Sequence, residues 1–116
     1  MLMQYLMLYY SDPTGPTGGD GEMEAWFAMA AEMTEAKVSV DGAPLHPADT
    51  ATTVRIRDGK TVPTDGPFAE TKEVLGGYDL IEVANLDEAI AWAAKAPVAQ
   101  YGSVEVRPVM DLATLR

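Results

Sequence analysis

Residues 73–97 read EVLGGYDLIEVANLDEAIAWAAKAP and contain a strand followed directly by a helix. The apolar run from Glu73 to Val83 predicts a long strand, and Gly76-Gly77 within it indicates a bulge or a close approach of another backbone. Asn85 is a typical helix N-cap, and Glu88 three residues later completes a capping box with asparagine in the serine or threonine position. This strand–helix unit forms the second half of the predicted fold.

The chain before this unit has the same strand–helix order. Residues 2–10 are apolar at both odd and even positions, which predicts a strand covered on both faces. Residues 22–36 carry an apolar stripe at helical spacing, with Asp20 as a candidate N-cap. Residues 38–40 predict a short strand that ends at Asp41-Gly42, and residues 104–107 predict a last strand near the other end of the chain.

A hairpin is inserted between the two halves. Residues 52–62 read TTVRIRDGKTV, and Asp58-Gly59 fits a two-residue hairpin turn. The alternation places Val54 and Ile56 on one face, with Arg55 and Arg57 on the other. After the hairpin, residues 63–68 predict a turn and residues 69–72 a single helical turn.

Without the hairpin, the order of elements is βαββαβ. The sequence therefore predicts an α+β, ferredoxin-like fold with an inserted β-hairpin. Two helices cover only one face of a four-stranded sheet, yet the strands carry apolar residues on both faces. Because a large apolar patch rarely stays in contact with water, we expect two copies to associate through their sheets as a homodimer.

Composition narrows the classes of protein further. The 116 residues suffice for one domain, predicted to span 1–116, and 18 acidic against 8 basic residues give a net charge of −10. This charge argues against nucleic acid and anionic membrane surfaces as partners. The start of the chain lacks the features of a signal peptide, and no apolar run approaches the roughly 20 residues of a membrane span, so a cytoplasmic location is expected. The absence of cysteine excludes disulfides and thiolate sites.

One charged segment resembles a known family. Residues 64–73 read TDGPFAETKE, and the chain resembles the DGPF-motif branch of the YCII-related proteins over nearly its whole length. The resemblance extends to residues 5–8, 52–55, 76–78, 86–89 and 102–108. It implies a ferredoxin-like fold and a dimeric α/β barrel, while the biochemical function of the family is largely unknown. Some relatives are fused to, or encoded beside, extracytoplasmic-function sigma factors, and one branch has a proposed catalytic Asp–His pair in a cleft.

The DGPF segment, residues 65–68, and the charges after it are the first candidate site. Asp65 is either an N-cap whose natural partner is the Phe68 N–H, or a carboxylate at a cleft mouth that acts as a base or a cation ligand. Glu70, Lys72 and Glu73 form either a solvated charged surface or the polar floor of a pocket, in which Lys72 binds an anion or keeps Asp65 ionised.

His46 is the only histidine and the obvious acid–base residue, although a lone histidine in a loop is more often simply exposed. The proposed pair of the related branch has its histidine in the first helix. Residues 22–36 contain none, so that pair does not transfer to this chain.

The strands supply further candidates. Asp79 lies in an apolar strand and needs a partner, for which Arg107, Arg55 and Lys37 are available; a structural salt bridge and a ligand role both remain open. Arg107 either pairs with Glu105 or points into the barrel of a dimer and binds an acidic small molecule. Lys37 stands at a helix end where the resembled family often has glycine.

Two functions fit these residues. The first is a small-molecule-binding or regulatory dimeric module linked to a sigma factor. The second is a small acid–base enzyme of the lyase or isomerase type acting on a small cyclic or acidic substrate, with Asp65 and His46 as the proton-transfer pair and Arg107 as the anion anchor. A purely structural dimer is a third reading. No cofactor and no metal site is predicted, because the glycines after the first strand lack the dinucleotide pattern and the chain lacks metal-binding motifs.

Overall fold

The computed structural model describes residues 1–115, which form two α-helices and six strands. In chain order these are β1 Met3–Ser11, α1 Glu22–Glu35, β2 Ser39–Pro44, β3 Thr52–Arg57, β4 Lys60–Asp65, β5 Val74–Val83, α2 Leu86–Ala93 and β6 Ser103–Pro108. Short 3₁₀ segments lie at Ala48–Thr50, Pro97–Gln100 and Leu112–Leu115. Within residues 1–115, no helix has the length and apolarity needed to cross a membrane.

The main sheet has the strand order β2-β5-β1-β6, and all neighbouring strands are antiparallel. With β3 and β4 set aside, the chain runs β1-α1-β2 and then β5-α2-β6, and the two units interlock so that β5 and β1 are central. The α+β, ferredoxin-like arrangement predicted from the order of elements is therefore the one observed.

The hydrophobic core lies between the helices and one face of this sheet. Tyr5, Met7 and Tyr9 of β1 alternate inward and pack with Ile81 of β5 and with Met33 of α1. Met7 and Ile81 are completely buried. This face is where the helices dock, so any cleft beside a helix is lined by core residues and by residues next to the core.

The opposite face of the sheet has no covering element among the secondary-structure elements of residues 1–115. Leu6 and Leu8 of β1 point to it, and Leu80 lies beside Leu6 on β5. All three leucines are only half-buried. We call this surface the open sheet face.

The hairpin forms a separate two-stranded sheet of β3 and β4. Asp58 and Gly59 both have positive φ, 52° and 75°, which is the geometry of a type I′ turn and agrees with the predicted two-residue turn. Val54 and Ile56 share one face, as expected, and are about 60% exposed. The radius of gyration is 16.4 Å, against roughly 13 Å for a compact domain of this length. The hairpin therefore extends away from the main body.

Two strands in the middle of the chain, β2 and β4, extend further than the sequence predicts. β2 does not end at Asp41-Gly42 but continues to Pro44, and β4 continues through Pro63 to Asp65. β2 is an edge strand and β4 belongs to a two-stranded ribbon, so a proline can avoid the hydrogen-bonded side of either strand. The helical turn predicted at residues 69–72 is absent, and that segment is irregular.

Of the two predicted helix N-caps, Asn85 is observed and Asp20 is not. Asn85 caps α2 as expected, because its Oδ1 accepts the Glu88 N–H at 2.9 Å. The Glu88 carboxylate reaches back to the Ala84 N–H, one residue before the position that a capping box normally uses. Asp20 does not cap α1; the N-cap is Gly21, in a left-handed conformation with φ 87° and no side-chain hydrogen bond.

Helix α1 ends in a Schellman motif. The Lys37 N–H donates to the Thr34 carbonyl and the Val38 N–H donates to the Met33 carbonyl, each at 3.0 Å. Lys37 has φ 60°, in the region where a Cβ is strained and glycine is favoured.

We expect Lys37→Gly to raise the free energy of unfolding by about 0.5–1 kcal/mol, because it removes this strain. Chemical denaturation of the purified protein measures the change. Lys37→Ala is the matched control, since it removes the charge and keeps the Cβ. An equal gain in both variants would attribute the effect to charge rather than to the backbone.

Candidate functional site

A cleft of about 480 Å³ lies between α1 and the β2–β5 side of the main sheet. We call it the α1 cleft. Its lining is mainly apolar and aromatic, with two carboxylates: Tyr9, Ser11, Glu22, Met23, Trp26, Phe27, Met29, Ala30, Met33, Gly42, Ala43, Pro44, Gly76, Gly77, Tyr78, Asp79, Val98 and Tyr101. Clefts of this size and character are typical of small-molecule sites.

Asp79 occupies the wall of this cleft on the helix-covered face of the sheet. It lies between Met7 of β1 and Gly42 of β2 and is half-buried. The predicted ion pair is not formed. The Tyr9 hydroxyl is the partner instead, and it donates a 2.6 Å hydrogen bond to the Asp79 carboxylate.

Burial is the main cause of a shifted pKa in both residues of the Tyr9–Asp79 pair. Burial raises the pKa of Asp79, and the hydrogen bond from Tyr9 opposes that rise only in part. Burial also raises the pKa of Tyr9, with the Asp79 carboxylate adding to the effect, so the tyrosine stays protonated and acts as the donor.

The raised pKa of Asp79 has a consequence for stability. An acid whose pKa is higher in the folded than in the unfolded chain destabilises the folded state when it is ionised. This destabilisation is complete above the folded pKa and disappears as the pH falls below the unfolded value of roughly 3.9. At neutral pH the carboxylate therefore lowers the stability of the fold.

Two glycines make room for this arrangement. A Cβ on Gly42 would lie 2.0 Å from the Asp79 Oδ1, so the missing side chain leaves the space that the carboxylate occupies. A Cβ on Gly77 would lie 3.0 Å from the Ala43 carbonyl oxygen. Opposite Tyr9 and Tyr10 the register shifts at Gly76, so the predicted glycine pair supplies both a bulge and a close backbone approach.

A second tyrosine–carboxylate pair lines the same cleft. The Tyr101 hydroxyl donates to Glu22 in the first turn of α1, and burial followed by the Glu22 carboxylate raises the pKa of Tyr101 to about 12. Trp26 also lines the cleft, and its ring meets the Tyr9 ring edge-on with centroids 4.9 Å apart. The cleft thus combines aromatic rings with two carboxylates that accept only neutral donors.

The DGPF segment lies elsewhere, at the end of the hairpin. Asp65 is the last residue of β4 and is paired with Thr52. Its predicted N-cap role is wrong, because no helical turn follows it and its carboxylate accepts no hydrogen bond within residues 1–115. The segment is tied to β3 through Gly66, whose N–H donates to the Ala51 carbonyl at 2.7 Å and whose carbonyl accepts from the Thr53 hydroxyl at 2.8 Å.

The charges after this segment are on the surface. Glu70 and Lys72 are exposed. Lys72 makes a minor contribution to the lowered pKa of Asp12, which is caused mainly by hydrogen bonds from Thr14. Neither residue lines the α1 cleft with Asp79.

A second cleft, of about 610 Å³, lies between the hairpin base and the adjoining ends of β1 and β5. His46 and Phe68 line it, together with Tyr10 and Leu75. Asp65 is not among its lining residues, so the structure does not bring the predicted proton-transfer pair into one cleft.

The two predicted arginine sites are also separate from Asp79. Arg107 lies on the open sheet face beside Leu6 and forms an ion pair with Glu105 of the same strand. Arg55 lies on the hairpin, where its guanidinium is 3.5 Å from the Phe68 carbonyl oxygen. Within residues 1–115, no group of three or more acidic or histidine side chains is arranged to hold a metal ion.

The sequence indicates Asp79 as a candidate site residue, but it does not indicate the aromatic residues that line the cleft with it. The apolar patterns present Tyr9 and Trp26 only as residues of a strand and a helix, and they give no role to Tyr101. One feature of the sequence could have indicated a tyrosine partner. A lone carboxylate in an apolar strand requires a hydrogen-bond donor, and a tyrosine in a neighbouring apolar strand carries such a donor on its hydroxyl group.

Comparisons with known proteins identify relatives of this chain. The YCII-related domain family matches residues 3–113. An uncharacterised protein of Rhizobium meliloti (strain 1021) is 39% identical, and the alignment covers 92% of each chain. Both matches cover nearly the whole chain, and the chain belongs to the YCII-related domain family.

Proposed function

We propose that this chain is a small-molecule-binding module that acts as a homodimer, with the α1 cleft as its ligand site. The observation that supports this most directly is Asp79, a half-buried carboxylate in the cleft wall whose partner is a neutral tyrosine hydroxyl. No basic residue lines the cleft within residues 1–115.

A carboxylate in this position lowers stability and needs another reason to be present. Burying a charge without an opposite charge is unfavourable, and one hydrogen bond compensates for only part of the lost hydration. Perturbed carboxylates that line clefts are enriched at functional sites. A bound ligand that donates hydrogen bonds to Asp79 would supply the missing compensation.

The walls of the cleft suit an adaptable site. Met23 and Phe27 are more than 60% exposed at its mouth, whereas Met29 and Met33 are buried at its base. Methionine side chains adjust to ligands of different shape, and aromatic rings provide flat apolar surfaces. The cleft therefore fits a ligand with an apolar body and one polar group.

The open sheet face and the projecting hairpin support the homodimer. A second copy placed against the open sheet face would cover Leu6, Leu8 and Leu80, and the exposed apolar residues of the hairpin could extend that contact. A regulatory role linked to a sigma factor stays a prediction from the family resemblance, and co-purification of the two proteins tests it.

A fragment screen by ligand-observed NMR tests the cleft. We expect fragments to bind the wild-type protein and to lose binding in Ala30→Trp, because Ala30 lines the cleft and an indole there fills it. Ala31→Trp is the matched control, since Ala31 is exposed on the same helix outside the cleft lining. Fragments that bind all three proteins equally, or no binding at all, would contradict the proposal.

A further inference from the structure

Within residues 1–115, the charged side chains that line the α1 cleft are all negative. Asp79 on β5 and Glu22 on α1 are its two carboxylates, and no lysine, arginine or histidine lines it within residues 1–115. The whole chain carries a net charge of −10, which adds a long-range potential of the same sign. Recognition of phosphates or carboxylates normally uses arginine or lysine, so this lining disfavours anionic ligands.

Both carboxylates keep their charge available to a ligand. Each accepts a hydrogen bond from a tyrosine hydroxyl, which is a neutral donor and leaves the negative charge uncompensated. Glu22 also lies in the first turn of α1, at the end of the helix where the dipole interacts favourably with negatively charged side chains. A carboxylate has room for several hydrogen bonds, so the tyrosine does not occupy every acceptor position.

Aromatic rings line the same cleft as these carboxylates. Trp26 lies against Tyr9, the donor to Asp79, and Phe27 is 67% exposed at the mouth of the cleft. Aromatic faces attract organic cations through the ring quadrupole, with tryptophan the most favourable. A carboxylate next to such rings is the arrangement that recognises a protonated amine with an apolar substituent.

We propose that the α1 cleft binds an organic cation, a protonated amine whose ammonium group contacts Asp79 and whose apolar part lies against Trp26 and Phe27. This inference rests on the proposed function, since it names the ligand class of the same cleft. It differs from the acidic molecule predicted from Arg107, which lies on the opposite face of the sheet.

Three probes of similar size and different charge test the inference by isothermal titration calorimetry at neutral pH. They are phenethylammonium, the neutral phenethyl alcohol and the anion hydrocinnamate. We expect phenethylammonium to bind the wild-type protein at least about tenfold more tightly than the alcohol, and hydrocinnamate to bind most weakly. Raising the salt concentration from about 20 mM to about 500 mM should weaken binding of the amine and leave that of the alcohol nearly unchanged.

Two substitutions locate the preference. Asp79→Asn keeps the shape of the side chain and an oxygen that accepts from Tyr9, and we expect it to remove the preference for the amine over the alcohol. Glu22→Gln should reduce that preference by about threefold, because Glu22 pairs with Tyr101 and not with Tyr9, the residue that packs against Trp26. Glu24→Gln is the matched control in the same helical turn, and it should bind the amine as the wild type does, since Glu24 does not line the cleft.

The results distinguish a wrong ligand class from a cleft that binds no ligand. Equal binding of amine and alcohol, with both lost in Ala30→Trp, would overturn the inference and leave the cleft as a ligand site. Tighter binding of hydrocinnamate would overturn it in the same way. If no probe binds while the fragment screen still finds cleft ligands, the inference alone fails; if the screen also finds none, both proposals fail. If Asp79→Asn does not fold, Glu22→Gln and the salt dependence decide the question.

Discussion

Leu8→Glu is expected to convert the proposed homodimer to a monomer, with a dimer dissociation constant raised at least about 100-fold, equivalent to roughly 2.7 kcal/mol. Leu8 lies in the central strand β1 on the open sheet face, with Glu105 of β6 beside it. The substitution replaces an apolar contact by a carboxylate next to an existing carboxylate, and the dimer symmetry brings this change into the interface twice. Desolvating the introduced carboxylate without an opposite charge opposes association.

Sedimentation velocity measures this change, because one chain is 12.4 kDa and a dimer has twice that mass. The folded monomer should remain, since Leu8 is on the face away from the helices and the core residues of β1 are unchanged. Leu86→Glu is the matched control; Leu86 is 48% exposed at the start of α2 on the other side of the sheet, and this variant should stay dimeric. A wild-type protein that sediments as a monomer at high concentration, or a Leu8→Glu variant that stays dimeric, would contradict the homodimer.

Features set by neighbouring residues were predictable from the sequence. The type I′ turn needs two adjacent residues that tolerate positive φ, and Asp58-Gly59 is a typical pair for it. The cap of α2 needs a side-chain acceptor three residues before a free N–H, and Asn85 provides it. The βαββαβ order followed from such local patterns, and the strand order of the sheet is the one that this arrangement normally adopts.

Features set by distant residues were not predictable in this way. The partner of Asp79 is 70 positions away along the chain, and the pattern of β1 presents Tyr9 as an ordinary core residue. An ionic partner is the usual solution for such a carboxylate, so the sequence predicts an arginine or a lysine, whereas the donor in the structure is a neutral hydroxyl. The spacing in sequence gives no information on which face of the sheet Asp79 and Arg107 each occupy until the register of β5, β1 and β6 is known.

Gly42 shows how a correct local rule gave a wrong boundary. Glycine after aspartate commonly ends a strand, which is why β2 was expected to stop at residue 40. In the structure, Gly42 is an interior residue of β2 paired with Asp79 of β5. Its missing side chain is required by the carboxylate opposite, and this requirement becomes visible only when the two strands are placed side by side.

Gly42→Ala is therefore expected to lower the free energy of unfolding by about 2 kcal/mol and to disrupt the Tyr9–Asp79 pair. The new Cβ would lie 2.0 Å from the Asp79 Oδ1 and 2.9 Å from the Tyr78 carbonyl oxygen, so the carboxylate must move away from its present position. Chemical denaturation measures the loss of stability, and the loss of phenethylammonium binding reports the movement of Asp79. Gly76→Ala is the matched control, because its Cβ would meet its nearest neighbour, the Tyr9 carbonyl oxygen, at an ordinary 3.9 Å.

A double-mutant cycle separates the clash with the carboxylate from backbone strain. In an Asp79→Ala background the closest contact of the new Cβ is removed, so Gly42→Ala should there cost less than half of its effect in the wild type. The residual cost comes from the Tyr78 carbonyl oxygen, which belongs to the backbone and cannot move aside as a side chain can. If the two costs were equal, the glycine would serve the strand pairing alone, and the conclusion that β2 leaves space for the Asp79 carboxylate would be wrong.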